Sequence, residues 1–208
     1  MKKSALNVPN TLSLIRVLLV PVFVLTLLLM RDIKVWGIVV PTVVYILTGI
    51  TDALDGNIAR KYNLITDFGK FIDPLADKFM VISSQIAILV WMLLMGEELY
   101  AMIFVWVVLI ILLRELGVTS IRLVVAGKSG IVVAASPLGK IKTVSQMAGT
   151  VVMLLEPIFS YFPESAFASF MWEYHVLAYA MMAIMAFTTL FSGIDYLKAY
   201  LPYIDSNK

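Results

Sequence analysis

Residues 52–60 read Asp-Ala-Leu-Asp-Gly-Asn-Ile-Ala-Arg, and Gly69, Asp73 and Asp77 follow. The stretch closes an apolar run over residues 35–50. On an α-helix, positions 52, 55, 56, 59 and 60 share one face, because they are spaced i, i+3, i+4, i+7 and i+8. Positions 69, 73 and 77 share one face of the next helix in the same way. We therefore expect two neighbouring helix ends to bring four carboxylates together.

The chemistry of these side chains favours a site for metal and pyrophosphate. Carboxylates near membrane depth need compensating positive charge, and two hard divalent cations, Mg²⁺ or Mn²⁺, would supply it. Gly56 and Ala59 leave space for a ligand beside the acids, and Arg60 offers a planar donor suited to phosphate. Ordinary charged residues at a helix end in water would account for any one of these aspartates alone. Because all of them lie at helical spacing on two adjacent segments, the metal and pyrophosphate site is favoured.

The composition identifies the class of protein. The chain has 208 residues, 61% of them hydrophobic, and a mean hydropathy of +0.95. These values exclude a soluble globular domain. Since one bilayer crossing takes about 20 apolar residues, we expect an all-α integral membrane protein with six transmembrane helices, near 8–30, 35–60, 70–95, 99–126, 140–160 and 173–197. We expect one domain over 1–208, with a short interfacial segment at about 1–8. Cysteine is absent, so thiolate metal sites are excluded.

The distribution of charged residues along the sequence predicts which side of the membrane each set of helix ends faces. One set of helix ends carries most of the basic residues: Lys2, Lys3, Arg60, Lys61, Lys70, Lys128, Lys140, Lys142, Lys198 and Lys208. The opposite ends carry Arg31 and Lys34 together with five acids, Asp32, Glu97, Glu98, Glu164 and Glu173. The positive-inside rule then places both termini in the cytoplasm. We expect a multi-pass protein of the plasma membrane, with its active site facing the cytoplasm at the ends of helices 2 and 3.

The spacing D-x2-D-G-x2-A-R-x8-G-x3-D-x3-D resembles the motif of the CDP-alcohol phosphotransferases, and every fixed position is filled. This resemblance implies transfer of a substituted phosphoryl group from a CDP-linked donor to an alcohol, with release of CMP. It implies that Asp52, Asp55 and Asp73 bind divalent metal, and that Asp77, close to the metals, is the catalytic base. It further implies that the CDP moiety contacts four residues: Gly56, Ala59, Arg60 and Gly69.

A second group of charged residues follows in the chain. Glu115, Thr119 and Arg122 share a helix face, with Arg114 alongside, and Lys140 and Lys142 begin the next helix. One interpretation is an anion site for the phosphate of the acceptor, formed by Arg114, Arg122, Lys140 and Lys142. The alternatives are an internal ion pair of Arg114 with Glu115, and a basic loop that touches lipid headgroups.

Residues 114–119, Arg-Glu-Leu-Gly-Val-Thr, and residues 139–146, Gly-Lys-Ile-Lys-Thr-Val-Ser-Gln, resemble the phosphatidylglycerophosphate synthase branch of the family. That branch implies CDP-diacylglycerol as donor, sn-glycerol 3-phosphate as acceptor, membrane lipids as surroundings and a homodimer, with no nucleic-acid partner. The same chemistry with inositol phosphate or serine is the nearest alternative. An ion-coupled transporter is the alternative of a different class, but its acids would be spread through the membrane depth.

Two further charged residues have open or minor interpretations. Arg16, one turn inside an apolar run, either extends its charge towards the membrane surface or helps to hold an acidic ligand. His175 lies on the side opposite to the aspartates, and we expect it to be interfacial and not a ligand.

Overall fold

The computed structural model describes residues 8–61, 66–129 and 136–204, without the side chains of 53–61, 67, 70, 128, 129, 202 and 204. Its regular elements are all helical over these ranges. They are α1 (Val8–Leu29), α2 (Trp36–Lys61), α3 (Asp67–Leu94), α4 (Glu98–Ser129), α5 (Pro137–Leu155), a 3-10 helix (Glu156–Tyr161), α6 (Ala166–Glu173) and α7 (Val176–Ile204).

Four segments within the described residues are long and apolar enough to cross a membrane. They are Val8–Leu29, Phe71–Leu94, Glu98–Gly127 and Val176–Leu201, and the helical stretch Trp36–Asp52 is a shorter apolar one. The all-helical class with several apolar helices therefore agrees with the sequence prediction. A further helix, α5, is shorter and carries Lys140 and Lys142 in its first turns.

Both ends of α5 differ from the prediction. Ser136 accepts a hydrogen bond from Gly139 N–H and so caps the helix, and Pro137 occupies its first turn. The helix therefore begins three residues earlier than expected. The predicted span 140–160 ends in the 3-10 helix that starts at Glu156, next to Pro157. The short helix α6 follows, and α7 runs seven residues beyond the predicted end at 197.

The helices form two groups that join along α3 and α5. Helix α1 packs against α2 and α3, while α7 packs against α4 and α5. Contacts of α3 with α4, and of α5 with α2 and α3, connect the groups. A large cluster of buried side chains fills the space between them, with Trp91, Phe104 and Leu154 among its fully buried members. A smaller cluster lies between α4 and α7 and consists of Val118, Val125, Tyr196 and Tyr200, with Ile121 packed against it.

Buried polar pairs fix α5 against its neighbours. The Gln85 amide of α3 donates to the Thr150 hydroxyl at 2.8 Å, and the Gln146 amide donates to Thr189 of α7 at 3.2 Å. All four side chains are buried. Because a buried polar group costs free energy unless it is hydrogen-bonded, these pairs fix the rotation of α5 about its axis. The rotation that they fix turns Lys142 inward, where it is buried.

Candidate active site

Two of the four predicted acidic residues lie where α2 and α3 face α1. Asp52 is on α2. Asp73 is on α3, about two turns before the buried residues Met80 and Val81. Thr66 caps α3 by accepting a hydrogen bond from Gly69 N–H at 3.0 Å. The predicted ligand Asp55 and the predicted CDP contacts Gly56, Ala59 and Arg60 belong to α2 by their backbone, but their side chains lie outside the described residues.

Helix α1 supplies a partner for one acid on each of the two motif helices. Arg16, only 1% exposed, forms an ion pair with Asp52 at 2.6 Å. The Ser13 hydroxyl donates to Asp73 at 2.5 Å. Of the two interpretations left open for Arg16, the structure supports the one that directs its charge into the protein. The sequence reasoning missed Ser13, although the spacing i, i+3, i+6 from Asn10 through Ser13 to Arg16 is a polar stripe on an apolar helix.

The start of α1 also requires a glycine at the start of α3. The Asn10 amide donates to the Thr66 hydroxyl at 2.8 Å. A Cβ atom at position 69 would lie 2.7 Å from Asn10 Oδ1, closer than real Cβ contacts. Gly69 therefore has a packing role here, in addition to the CDP contact that the motif predicts.

The described donors are of the kind that hard divalent cations bind. Carboxylate oxygens are the ligands that Mg²⁺ and Mn²⁺ prefer. Asp52 and Asp73 are each oriented by a side chain of α1, as metal-binding carboxylates commonly are by a neighbouring hydrogen-bond partner. Among the described side chains alone, no group of three or more acids and histidines is close enough to hold an ion. Asp52, Asp73 and Asp77, the described members of the predicted set, do not form such a group, and the side chain of Asp55 lies outside the described residues. The fit to a divalent metal rests on the chemistry of the carboxylate donors.

A cavity of about 440 Å³ opens beside Asp77, between α3, α4, α5 and α7. Its lining contains five basic side chains, Lys78, Arg114, Arg122, Lys140 and Lys142, and two acidic ones, Asp77 and Glu115. The structure therefore brings together all four residues that the sequence predicted for the acceptor phosphate. The excess of basic over acidic side chains makes this cavity, which we call the basic pocket, suited to an anion.

Glu115 connects two of the basic residues of the basic pocket. Its Oε1 atom accepts hydrogen bonds from Arg114, at 3.1 Å, and from the buried Lys142 Nζ. Arg114 also donates to the hydroxyl of Ser192 at 2.7 Å. The internal pair of Arg114 with Glu115, considered as an alternative above, is thus present within the pocket. One carboxylate shared between two cations leaves positive charge available to a ligand.

Asp77 links the basic pocket to the other aspartates. It lines the pocket and interacts electrostatically with both Asp52 and Lys142. A group that interacts with a motif aspartate and with the basic pocket is in a position to act on a substrate that touches both. The catalytic role that the motif implies for Asp77 stays a prediction.

The sequence reasoning missed two α7 residues at this site, Ser192 and Tyr196. Ser192 is fully buried and accepts from Arg114, and Tyr196 lines the basic pocket. They are spaced i, i+4 on a largely apolar helix, which places them on one face. That spacing was available as a signal, but a tyrosine and a serine in a membrane helix indicate packing as readily as a site.

Comparison with known proteins gives the family that this chain is similar to. The family model described as CDP-alcohol phosphatidyltransferase matches residues 6–191. A Bacillus subtilis protein named CDP-diacylglycerol–glycerol-3-phosphate 3-phosphatidyltransferase is 41% identical over 161 residues, covering 72% of this chain and 77% of the relative. A Mycobacterium tuberculosis protein named probable phosphatidylglycerophosphate synthase is 35% identical over 190 residues, covering 91% and 79%.

A Yersinia pestis protein with the same name as the Bacillus subtilis relative is 36% identical over 157 residues, covering 73% of this chain and 79% of its own. The family match spans the motif of residues 52–77, the basic pocket on α4 and α5, and most of α7. The chain belongs to the CDP-alcohol phosphatidyltransferase family.

Proposed function

We propose that this protein is an enzyme of phospholipid biosynthesis that transfers the phosphatidyl group of CDP-diacylglycerol to sn-glycerol 3-phosphate. The products are phosphatidylglycerophosphate and CMP. The observation that carries the proposal is the basic pocket beside Asp77, since a phosphorylated acceptor needs an anion site next to the reacting centre. The names of the relatives from Bacillus subtilis and Yersinia pestis support the same donor and acceptor.

The donor would lie across the ends of α2 and α3. Gly56, Ala59, Arg60 and Gly69 contact its CDP moiety in this proposal. Asp52, Asp55, Asp73 and Asp77 would hold the divalent metal, two ions of Mg²⁺ or Mn²⁺. When bound, the metal neutralises the pyrophosphate and the charge that develops on the leaving CMP. On the protein side, Arg16 and Ser13 keep the carboxylates of Asp52 and Asp73 in place.

The acceptor would occupy the basic pocket. Arg114, Arg122, Lys140 and Lys142 bind its phosphate, which orients a hydroxyl group towards the donor. Asp77 takes the proton from that hydroxyl as the oxygen attacks the lipid-side phosphorus. One P–O bond forms, and the P–O bond to CMP breaks. The lipid chains remain in the bilayer throughout.

The arrangement in the membrane is part of the proposal. Helices α1–α5 and α7 make six membrane crossings in one domain over 1–208. Both termini and the basic pocket lie on the cytoplasmic side of the plasma membrane. The clustering of basic residues at one set of helix ends supports this orientation. Soluble phosphorylated acceptors are made on that side. A homodimer is the proposed assembly.

CMP release tests the reaction directly. Purified protein in detergent is given CDP-diacylglycerol, Mg²⁺ or Mn²⁺, and one acceptor at a time, with Asp52→Asn as the inactive control. Release with sn-glycerol 3-phosphate alone is the expected result. Release only with inositol phosphate or serine would keep the chemistry and reject the acceptor. No release with any acceptor, from folded protein, would favour an ion-coupled transporter.

A further inference from the structure

The ring of Tyr196 on α7 lies against both arginines of the basic pocket. The guanidinium carbon of Arg114 is 5.2 Å from the ring centroid, and that of Arg122 is 5.7 Å from it. Arg122 also donates to the Tyr196 hydroxyl at 3.4 Å. Cations within about 6 Å of an aromatic face are attracted to it, more strongly where water is excluded. Tyr196 is 5% exposed, so both contacts are made by a buried ring.

The position of the ring is itself determined by its neighbours. A Cβ atom at Gly139, in the first turn of α5, would lie 3.3 Å from Tyr196 Cε2, which is tighter than ordinary packing. On the other side Tyr200 stacks on Tyr196 with 6.2 Å between centroids and 14° between planes. The ring is therefore held between α5 and Tyr200, and both arginines of α4 lie against it.

The two arginines depend on this ring to different extents. Arg114 is also held by Glu115 and by Ser192. Arg122 is exposed, and its side-chain contacts within the described residues are those with Tyr196. An arginine loses considerable rotamer entropy when it is fixed on a ligand. Because the aromatic face already restrains the arginine before the ligand binds, less rotamer entropy is lost on binding.

We propose that Tyr196 is a positioning residue that presets Arg122, and secondarily Arg114, to bind the phosphate of the acceptor. This inference rests on the proposed function, and it assigns to α7 a part in acceptor recognition. It does not require Tyr196 to touch the acceptor. The chemical group recognised through it is a phosphate monoester, because the two guanidiniums that it orders present planar donors into one pocket.

The test separates the ring from its hydroxyl and from its packing. Tyr196→Phe keeps the aromatic face, and Tyr196→Leu removes it. Tyr100→Leu is the matched control, since Tyr100 on α4 is also buried, packs against the ring of His175 and does not line the basic pocket. For each variant, KM for sn-glycerol 3-phosphate, KM for CDP-diacylglycerol and kcat are measured by CMP release, and thermal unfolding is followed in the same detergent.

We expect Tyr196→Leu to raise the acceptor KM roughly tenfold, from the loss of the cation–aromatic contacts with both Arg114 and Arg122, and to leave the donor KM unchanged. Tyr196→Phe should retain most of the wild-type acceptor affinity. Tyr100→Leu should lower stability without changing the acceptor KM. An unchanged acceptor KM in Tyr196→Leu, or an equal rise in Tyr100→Leu, would overturn the proposal.

Two further variants decide the matter if Tyr196→Leu does not fold. Tyr196→Met fills the space with an unbranched side chain and no ring, and it should raise the acceptor KM in the same direction, whereas no change would contradict the proposal. The double variant Tyr196→Met/Arg122→Ala should show little further loss beyond Arg122→Ala alone, because most of the effect of the ring passes through that guanidinium. Wild-type protein that fails to use sn-glycerol 3-phosphate at all would refute the proposed function itself, which is a separate outcome.

Discussion

The guanidinium of Arg16 on α1 lies 2.6 Å from the carboxylate of Asp52 on α2, and the arginine is almost completely buried. One turn earlier on α1, Ser13 reaches Asp73 on α3. A helix outside the aspartate motif therefore orients one acid on each of the two motif helices. It determines how the two helix ends face each other, and hence whether their carboxylates can converge on the same ligand.

Replacing Arg16 with methionine should destabilise the protein by about 1–3 kcal/mol, because it breaks an ion pair whose arginine is buried and whose carboxylate is 37% exposed. Thermal unfolding in detergent measures the effect. Arg31→Met is the matched control, since Arg31 pairs at 3.5 Å with an Asp32 side chain that is 83% exposed. An exposed pair contributes little, so the control should unfold close to wild type. Equal midpoints for both variants would mean that the pair of Arg16 with Asp52 adds no stability.

Replacing Ser13 with alanine should weaken metal binding roughly tenfold or more, because the hydroxyl that orients the Asp73 carboxylate is lost. The concentration of Mn²⁺ that gives half-maximal CMP release measures this, and so does direct Mn²⁺ binding in the absence of substrate. Ser120→Ala is the control, since that exposed hydroxyl only returns to the carbonyl of Leu116 on its own helix. A normal Mn²⁺ affinity in Ser13→Ala would remove Ser13 from the site.

Replacing Asp77 with asparagine should abolish turnover and leave CDP-diacylglycerol binding largely intact. The amide keeps the shape of the side chain but cannot accept the proton of the acceptor hydroxyl. CMP release and donor binding are measured on the same preparation. Lost donor binding in a normally folded variant would show that Asp77 serves the donor and not the proton transfer.

His175 predicts a pH dependence of stability at the end of the protein opposite to the aspartates. It is buried within the protein, and its expected place at the membrane interface stays a prediction. Its Nε2 atom lies 3.1 Å from Glu97, and its Nδ1 atom lies 3.4 Å from Glu156. Burial by itself lowers the pKa of His175, but the interactions with Glu156 and Glu97 outweigh it and raise the pKa above the usual 6.5. Tyr100 and Tyr179 pack against the ring.

A raised pKa in the folded state means that the protonated histidine stabilises the protein fully below about pH 6.5 and loses that contribution as the pH rises through the folded-state pKa. The thermal midpoint of wild type should therefore fall over that interval. His175→Gln should show no such fall, because glutamine does not titrate. A wild-type midpoint that is flat there, or the same fall in His175→Gln, would contradict the assignment.

The site residues that share one face of a single helix were predictable from their spacing in the sequence. Helical periodicity alone places Asp52 and Asp55 on one face, and Asp73 and Asp77 on another, since residues three and four apart on a helix are neighbours whatever surrounds them. The same argument predicted the face of Glu115, Thr119 and Arg122. Composition was sufficient for the all-helical membrane class, because a chain this apolar has few other stable forms.

The contacts between helices were not predictable in this way. Ser13 with Asp73, Arg114 with Ser192, and the ring of Tyr196 against Arg122 join residues 60, 78 and 74 positions apart. Such pairs depend on how each helix is rotated about its axis and on which helix lies beside it, and no local period encodes either. By itself the sequence determined the class of protein and the acid motif that a ligand would meet. Only the tertiary structure decided which side chains hold that motif and the basic pocket in place, because helix rotation is settled by packing and by buried hydrogen bonds.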